Sequence, residues 1–280
     1  MFRPEFDFSQ CKLCGQATAA PRFHLHSTTV YVCSVCDFHA INYLDQVPRG
    51  EGDAPPGVDS KARAYIEERL GEADRWLPAR LQLLRRHCQL PAPRVLDVGA
   101  GVGQFLSLLA SQGASIFGIE PSRVRREFAR LHFGLDLSGT LIEHPQWQQH
   151  HAGFFDLITL WDVIEHVNFP VATLEAAYGL LKPGGLLFID TPSRDAASYR
   201  LSEALYRLTR GEVPLYLEQV YSPTLFGHKQ IFRPRHLVRL VTQAGLEVVE
   251  LRHRYPSQSF FSPGQRVVLV ARKAAGPPPS

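Results

Sequence analysis

No run of about 18 uninterrupted apolar residues occurs in this chain, so no part of it is expected to cross a bilayer as a helix. A surplus of one charge is also lacking. With 30 Lys+Arg against 27 Asp+Glu, the net charge of +3 is too balanced to announce a nucleic-acid-binding face. Met1-Phe2-Arg3-Pro4-Glu5 has none of the apolar core of a secretory signal, which places the chain, as an expectation, in the cytoplasm. No internal repeat is found. Beyond residue 36 cysteine is scarce too, Cys88 being the exception, and Cys88 reads as a helix residue without a role. What remains is 280 residues with 45% apolar content, enough for one large core and a small satellite.

The strongest signal runs from Arg94 to Ser122. Arg94-Val-Leu-Asp97-Val-Gly99-Ala100-Gly101-Val-Gly103-Gln104 reads as a buried strand running into a glycine turn, with a helix to follow; Ile116-Phe-Gly-Ile-Glu120 then reads as a second strand ending in a carboxylate. Residues without Cβ let the backbone turn tightly and come close to a ligand. The helix N-terminus presents free N–H groups there. Glu120, about 20 residues on, can accept hydrogen bonds from both hydroxyls of a ribose. A dinucleotide fold would need Gly-x-Gly-x-x-Gly, and Gln104 stands at the third glycine. A carboxylate at Asp97 also suits a cation and repels a pyrophosphate.

The spacing Asp97-x-Gly99-x-Gly101-x-Gly103 resembles the first motif of class I S-adenosylmethionine-dependent methyltransferases. Two later segments narrow the resemblance. Phe154-Phe-Asp-Leu-Ile-Thr-Leu-Trp161-Asp162 is followed by Val163-Ile-Glu165-His166-Val167, and Leu180-Leu-Lys-Pro-Gly-Gly185 precedes Leu186-Leu-Phe-Ile-Asp-Thr-Pro192. Together they look like the ubiquinone-biosynthesis-type, small-molecule branch of that family, over roughly residues 93–273. The resemblance implies S-adenosylmethionine as cofactor, bound by Asp97, Gly99, Ala100, Gly101, Gly103, Glu120, Trp161 and Asp162. Asp59 or Ser60 can cap a helix through Leu70, and a second helix runs through Leu77, Leu81 and Leu84. The resemblance implies that these two helices lie across the cofactor mouth, with Tyr65 near the methionine end. Leu246–Leu251 and Arg266–Ala271 read as closing strands of hairpin type. The expected fold is α/β, a doubly wound, mostly parallel sheet of about seven strands with a C-terminal antiparallel hairpin.

Cys11-x-x-Cys14 and Cys33-x-x-Cys36 form two thiolate pairs with 18 residues between them, the spacing of a closed four-thiolate zinc site. Gly15 permits the left-handed knuckle, and Asp37 tolerates it. Arg22–His26 and Thr28–Val32 alternate like two short strands, so the segment reads as a zinc ribbon. Disulfides would need an oxidising compartment, and a redox dithiol would need a thioredoxin-like unit. A closed thiolate shell leaves no open position for catalysis, which gives the Zn2+ a structural role. His24, His26 and His39 are spare donors that four thiols make unnecessary.

Methyl transfer to a hydroxyl needs an aligned nucleophile and a base of near-neutral pKa, so histidine is the first candidate. His228, in Phe226-Gly-His-Lys-Gln-Ile-Phe-Arg-Pro234 ahead of a helix at 234–244, is the preferred base. His166 is the second, expected at the start of a helix and on one face with Asp162. Residues 193–228 are longer than a connection requires and read as a lid over the acceptor, with Tyr199, Tyr206, Tyr216 and Tyr221 as flat contacts and Arg194, Arg200, Arg207 and Arg210 as anion clamps. The organisation expected is a zinc ribbon at 1–45, linker and N-terminal helices at 46–90, the methyltransferase domain at 91–273 and a disordered tail at 274–280. The partner is a small-molecule acceptor, a sugar, a lipid-linked group or a secondary metabolite. Nucleic acid is disfavoured, and the oligomeric state stays open. Rival readings are a zinc-containing RNA methyltransferase, a non-catalytic cofactor-binding protein and an NAD enzyme. Trp161-Asp162-Val163 lacks the Asn/Asp-Pro-Pro-Tyr tetrapeptide of base N-methylation, and Gln104 counts against NAD.

Overall fold

The computed structural model describes residues 6–46, 58–89, 92–253 and 266–275; residues 47–57 of the expected linker and tail residues 276–280 lie outside them. Three short strands open the chain, β1 (Ala19–His24), β2 (Thr29–Cys33) and β3 (His39–Ile41). Helix α1 then spans Val58–His87 as one piece, with Pro78 inside it. Two helices were expected here. Instead α1 continues and buries Ala79, Leu83 and Leu84, with Trp76 and Leu77 packed alongside. The side chain of Tyr65 lies outside the described ones.

The sequence alternation then builds the main sheet. In chain order come β4 (Arg94–Val98), α2 (Gln104–Ala110), β5 (Ser115–Ile119), α3 (Arg123–Phe133), α4 (Pro145–His151), β6 (Phe155–Trp161), α5 (Pro170–Leu180) and β7 (Leu181–Pro192). After them follow α6 (Ala197–Leu208), α7 (Tyr216–Val220), β8 (Gln230–Ile231), α8 (Pro234–Gln243), β9 (Leu246–Arg252) and β10 (Arg266–Lys273). Helices α4, α5 and α8 each begin on a proline, whose fixed φ and missing N–H suit the first turn.

Among the described residues the large sheet has six strands in the order β5-β4-β6-β7-β10-β9. The first four pair in parallel; β10 is antiparallel to both β7 and β9. The expected count of seven is therefore corrected to six. The segment that would make the seventh strand contributes only a single parallel bridge, Ser138 to Ile119. Gly139, beside it, is crowded by Arg126, and no described residue extends the ladder. Strand β6 is buried almost throughout, as a central parallel strand covered on both faces must be.

The second sheet runs β1-β2-β3-β8 and joins distant parts of the chain. Strand β8, about 190 residues further along the chain, pairs antiparallel with β3, His39 facing Ile231. The cysteine-bearing segment is thus stitched onto that domain. Among the described residues no helix is long and apolar enough to cross a membrane.

Candidate active site

Strand order reverses between β4's two neighbours, which opens a crevice at the carboxyl ends of the parallel strands. The loop after β4 lines it. Gly99, Gly101 and Gly103 all have positive φ, at 72°, 57° and 84°. A Cβ on Gly99 would come within 2.5 Å of Val163 Cγ2, so the glycine loop and the loop after β6 touch. Substituting that glycine would strain the backbone and separate the two loops.

Asp97, on β4, is almost fully buried, and the Thr159 hydroxyl donates to its Oδ1 at 2.6 Å. Burial pushes its pKa up to about 7, against the pull of Thr159 and of the Arg80 charge. A carboxyl group poised this way is restored to its charged form by a cationic ligand. Glu120, also buried, accepts from the Gly101 and Ser122 backbone N–H groups at 2.9 and 2.8 Å. Burial raises its pKa, opposed by Arg125. With two N–H donors accepted, the carboxylate keeps lone pairs for two hydroxyls. The indole N–H of Trp161 is buried with no hydrogen-bond partner among the described residues. Glu120 suits the ribose of either cofactor class, whereas the buried carboxyl of Asp97 at the end of β4 fits the cationic end of an adenosyl sulfonium and would repel a pyrophosphate.

Asp162 sits differently from expectation. It adopts φ of 55°, and its carboxylate is gripped by Arg80 of α1 at 2.8 Å and by Arg266 of β10. The same two guanidiniums hold Asp190, near the end of β7, at 3.2 and 3.0 Å. Arg80 lies over the Trp161 ring and Arg266 over Trp76. Two acids and two arginines thus tie α1, β10 and the ends of β6 and β7 together. Asp162 is a member of this quartet, and its N–H also donates to Asp190 Oδ1 at 2.9 Å. The expected helix start at His166 is also corrected: residues 162–167 form a turn, with His166 N–H donating to Val163 O at 2.8 Å, and α5 starts only at Pro170. The shared i, i+4 face does not exist.

His166 and His228 nevertheless come together. Their ring centroids are 4.6 Å apart, and Glu165, His166 and His228 place one donor atom each within 4.8 Å of the others. Burial drives His166 down to about 3 and lowers His228 as well, while Glu165 is raised by burial and by Asp162. His228 Nδ1 lies 2.9 Å from Val220 O; a carbonyl only accepts, so Nδ1 carries the proton and Nε2 keeps its lone pair. The Thr191 hydroxyl donates to one oxygen of Glu165. The other oxygen is buried without a hydrogen-bond partner among the described residues and lies 3.9 Å from His166 Nε2. One carboxylate and two imidazoles also make a donor set able to hold a divalent cation.

The four N-terminal thiols converge too. All four Sγ atoms lie within 4.8 Å of one another, with Cys11–Cys36 at 3.5 Å and Cys14–Cys33 at 3.7 Å. The edge of a zinc–thiolate tetrahedron is about 3.8 Å for Zn–S bonds of about 2.3 Å. Gly15 and Asp37 take the left-handed conformations expected of them, at 74° and 59°. No cysteine is in a disulfide. His39 is engaged elsewhere, its Nδ1 2.9 Å from the Tyr199 hydroxyl.

Most of the residues read as an acceptor lid turn toward this cysteine module. Tyr199, Tyr206 and Tyr221 are buried in a cluster with Phe23, Val30 and Ile41, and Tyr206 OH donates to His24 O at 3.1 Å. Arg194 is buried against Asp37 at 3.0 Å, and Arg207 pairs with Glu203. The clamp role expected of Arg194 is corrected, because its guanidinium is already engaged. Sequence reasoning missed Arg80, Arg266, Asp190, Lys229 and the role of Glu165. Only Glu165 had a local signal, an acid beside a histidine in an otherwise apolar turn.

A methyltransferase domain family model matches residues 65–251, leaving the cysteine module outside the match. A ubiquinone biosynthesis O-methyltransferase of Aromatoleum aromaticum is 33% identical over 179 residues, 62% of this chain and 72% of that protein. One from an Azoarcus species is 32% identical over 198 residues, 70% and 79% of the respective chains. Among solved structures, an S-adenosylmethionine-dependent methyltransferase of Clostridium acetobutylicum superposes with a TM-score of 0.55 at 14% identity, over 78% of this chain and 100% of its own. One from Thermotoga maritima reaches 0.51 at 24% identity, over 78% and 96%. At these identities the structural likeness speaks for the fold alone.

Proposed function

Because this chain belongs to the methyltransferase domain family and is an S-adenosylmethionine-dependent methyltransferase, we propose that it methylates a hydroxyl of a small molecule, with His228 as the base. The observation that carries this reading is the tautomer of His228. Its Nδ1–H is tied to Val220 O, and its free Nε2 belongs to the loop that meets the end of β6. When bound, the sulfonium supplies an electrophilic methyl group. The chain's residues do the rest: Asp97 holds the cationic end, Glu120 the ribose, and Gly99, Ala100, Gly101 and Gly103 let the backbone approach. His228 takes the hydroxyl proton as the oxygen attacks, and His166 keeps that ring in place.

The acceptor class we favour is a hydroxyl on an aromatic ring, because the relatives named above are O-methyltransferases of ubiquinone biosynthesis and quinones derive from hydroxylated aromatic rings. The four cysteines fit a structural zinc ion, and reduced thiols suit a cytoplasmic enzyme. A second reading is favoured by the Glu165 oxygen that accepts no hydrogen bond among the described residues and lies 3.9 Å from His166 Nε2: a divalent cation on Glu165, His166 and His228 would lower the hydroxyl's pKa directly. One experiment separates them. With radiolabelled methyl donor and catechol as probe acceptor, labelled aryl methyl ether is expected, and turnover under the histidine reading survives brief EDTA treatment. Turnover abolished by EDTA and restored by Mg2+ or Mn2+ would favour the cation. Label recovered in RNA and not in catechol would overturn both.

A further inference from the structure

Neither histidine rides on a regular element. Residues 162–167 form a turn after β6, and residues 221–229 are irregular until the two-residue strand β8 begins. What joins them is Lys229. This lysine is fully buried, and its ammonium donates to His166 O at 2.8 Å and to Gly227 O at 3.2 Å. Its backbone N–H donates to Glu165 O at 2.8 Å. One residue therefore fastens the backbone of Glu165 and His166 to the residue just before His228.

Among the described residues the ammonium has one countercharge in reach, Asp45 Oδ2 at 2.7 Å, on a carboxylate only 6% exposed. Asp45 ends the cysteine module as read from the sequence, and it also grips both loops. Its N–H donates to Asn168 Oδ1 at 2.8 Å, Asn168 Nδ2 donates back to Asp45 O at 2.9 Å, and Phe226 N–H donates to Asp45 Oδ2 at 3.3 Å. Ile41 N–H of β3 donates to Lys229 O at 2.8 Å, continuing the β3–β8 pairing. Gln230 adds a second link across the loops, its amide donating to Ile164 O and Val167 O at 2.9 and 2.7 Å. A buried ammonium is expensive unless paired and fully hydrogen-bonded, and here all its N–H groups find acceptors. Packing alone would be served by a methionine of similar size.

We propose that Lys229, anchored on Asp45, is a positioning residue that sets the His166–His228 pair, which makes the N-terminal module part of the catalytic apparatus. The inference rests on the histidine reading above. A shift of about 1 Å in a catalytic group lowers turnover by up to about 100-fold. Lys229→Met is therefore expected to lower kcat on catechol by about 10- to 100-fold, with KM and S-adenosylmethionine affinity within about threefold of wild type. Lys229→Arg, which keeps the charge and several donors, recovers part of that loss. Asp45→Asn lowers kcat by about tenfold, and the double variant loses no more than Lys229→Met alone, because both act through one ion pair.

Hydrogen exchange gives a reading that needs no acceptor: peptides covering 163–168 and 221–229 exchange faster in either variant while the β4–β6 peptides do not. If Lys229→Met does not fold, Asp45→Asn carries the test. His228→Gln is measured alongside. Wild-type turnover in His228→Gln removes the base assignment and this proposal with it. Lost turnover in His228→Gln, with wild-type kcat and exchange in both Lys229→Met and Asp45→Asn, overturns the positioning role alone, as do additive losses in the double variant.

Discussion

Replacing His228 by glutamine is expected to lower kcat by a factor on the order of 10²–10⁴, about 3–5 kcal/mol of lost transition-state stabilisation, with cofactor affinity within about twofold. Glutamine keeps a hydrogen-bonding group near Val220 O but offers no basic nitrogen. The wild-type pH profile should carry the signature of the same ring. Burial, the largest influence, lowers the His228 pKa from its ordinary 6.5, and the Arg266 and Lys229 charges add to it, against the Val220 carbonyl and Asp162. The active species is the neutral imidazole. Turnover is therefore at its plateau above pH 6.5 and is lost as the pH falls through the lowered value, when the ring takes up a proton. In His228→Gln that limb disappears from the residual rate. His166→Gln is expected to lose about tenfold, since His166, held down to about 3, is a poor base and serves the geometry. Unchanged turnover in His228→Gln removes the base assignment, and unchanged turnover in both variants removes any role for the pair.

The second large effect concerns the thiols. Purified chain is expected to carry one zinc ion, and Cys14→Ser to lose it, by elemental mass spectrometry. Structural zinc in small modules is worth an apparent value of about 10–16 kcal/mol, roughly the whole folding energy of so short a segment. The loss would spread. Cys36 O accepts from His236 Nε2 at 3.0 Å, Asp37 is held by Arg194 at 3.0 Å and by Arg235 at 2.8 Å, and β3 pairs with β8 beside His228. A thermal melt should show an earlier transition in the module, and turnover should fall with it. A metal-free chain whose four thiols all react at once with Ellman's reagent, at wild-type activity, would contradict the zinc assignment.

How much of this could be read beforehand depended on how local the cause was. The glycine loop, the strand ending in Glu120 and the left-handed Asp37 are each set by residues within a few positions, and the sequence shows them. The docking of the module does not show. Strand β8 is two residues long and has no periodicity to detect, and its partner β3 lies far back in the chain, His39 facing Ile231. The quartet under α1 is equally invisible, since Arg80 meets Asp162 and Asp190 across gaps of 82 and 110 residues. That distant pull also explains the misread turn at 162–167. A local pattern of apolar and acidic residues suggested a helix, but Asp162 is drawn into left-handed backbone by Asp190 and two arginines. The lid aromatics were misassigned for the same reason: Tyr199 and Tyr221 had unseen partners at the other end of the chain.

Calorimetry of S-adenosylmethionine binding tests most directly whether a buried carboxylate near the tip of β4 receives the cationic end of the cofactor. Burial pushes the Asp97 carboxyl up to about 7 despite the Arg80 charge, so below that value the bound cation must displace a proton. Affinity should rise about tenfold between about pH 6 and 7.5, with a proton released at the lower pH that buffers of different ionisation enthalpy reveal. Asp97→Asn should bind about 10- to 100-fold more weakly at about pH 7.5 and lose the pH dependence. Wild-type affinity at both pH values in Asp97→Asn, or tight binding of NADH in place of the sulfonium nucleoside, would contradict it.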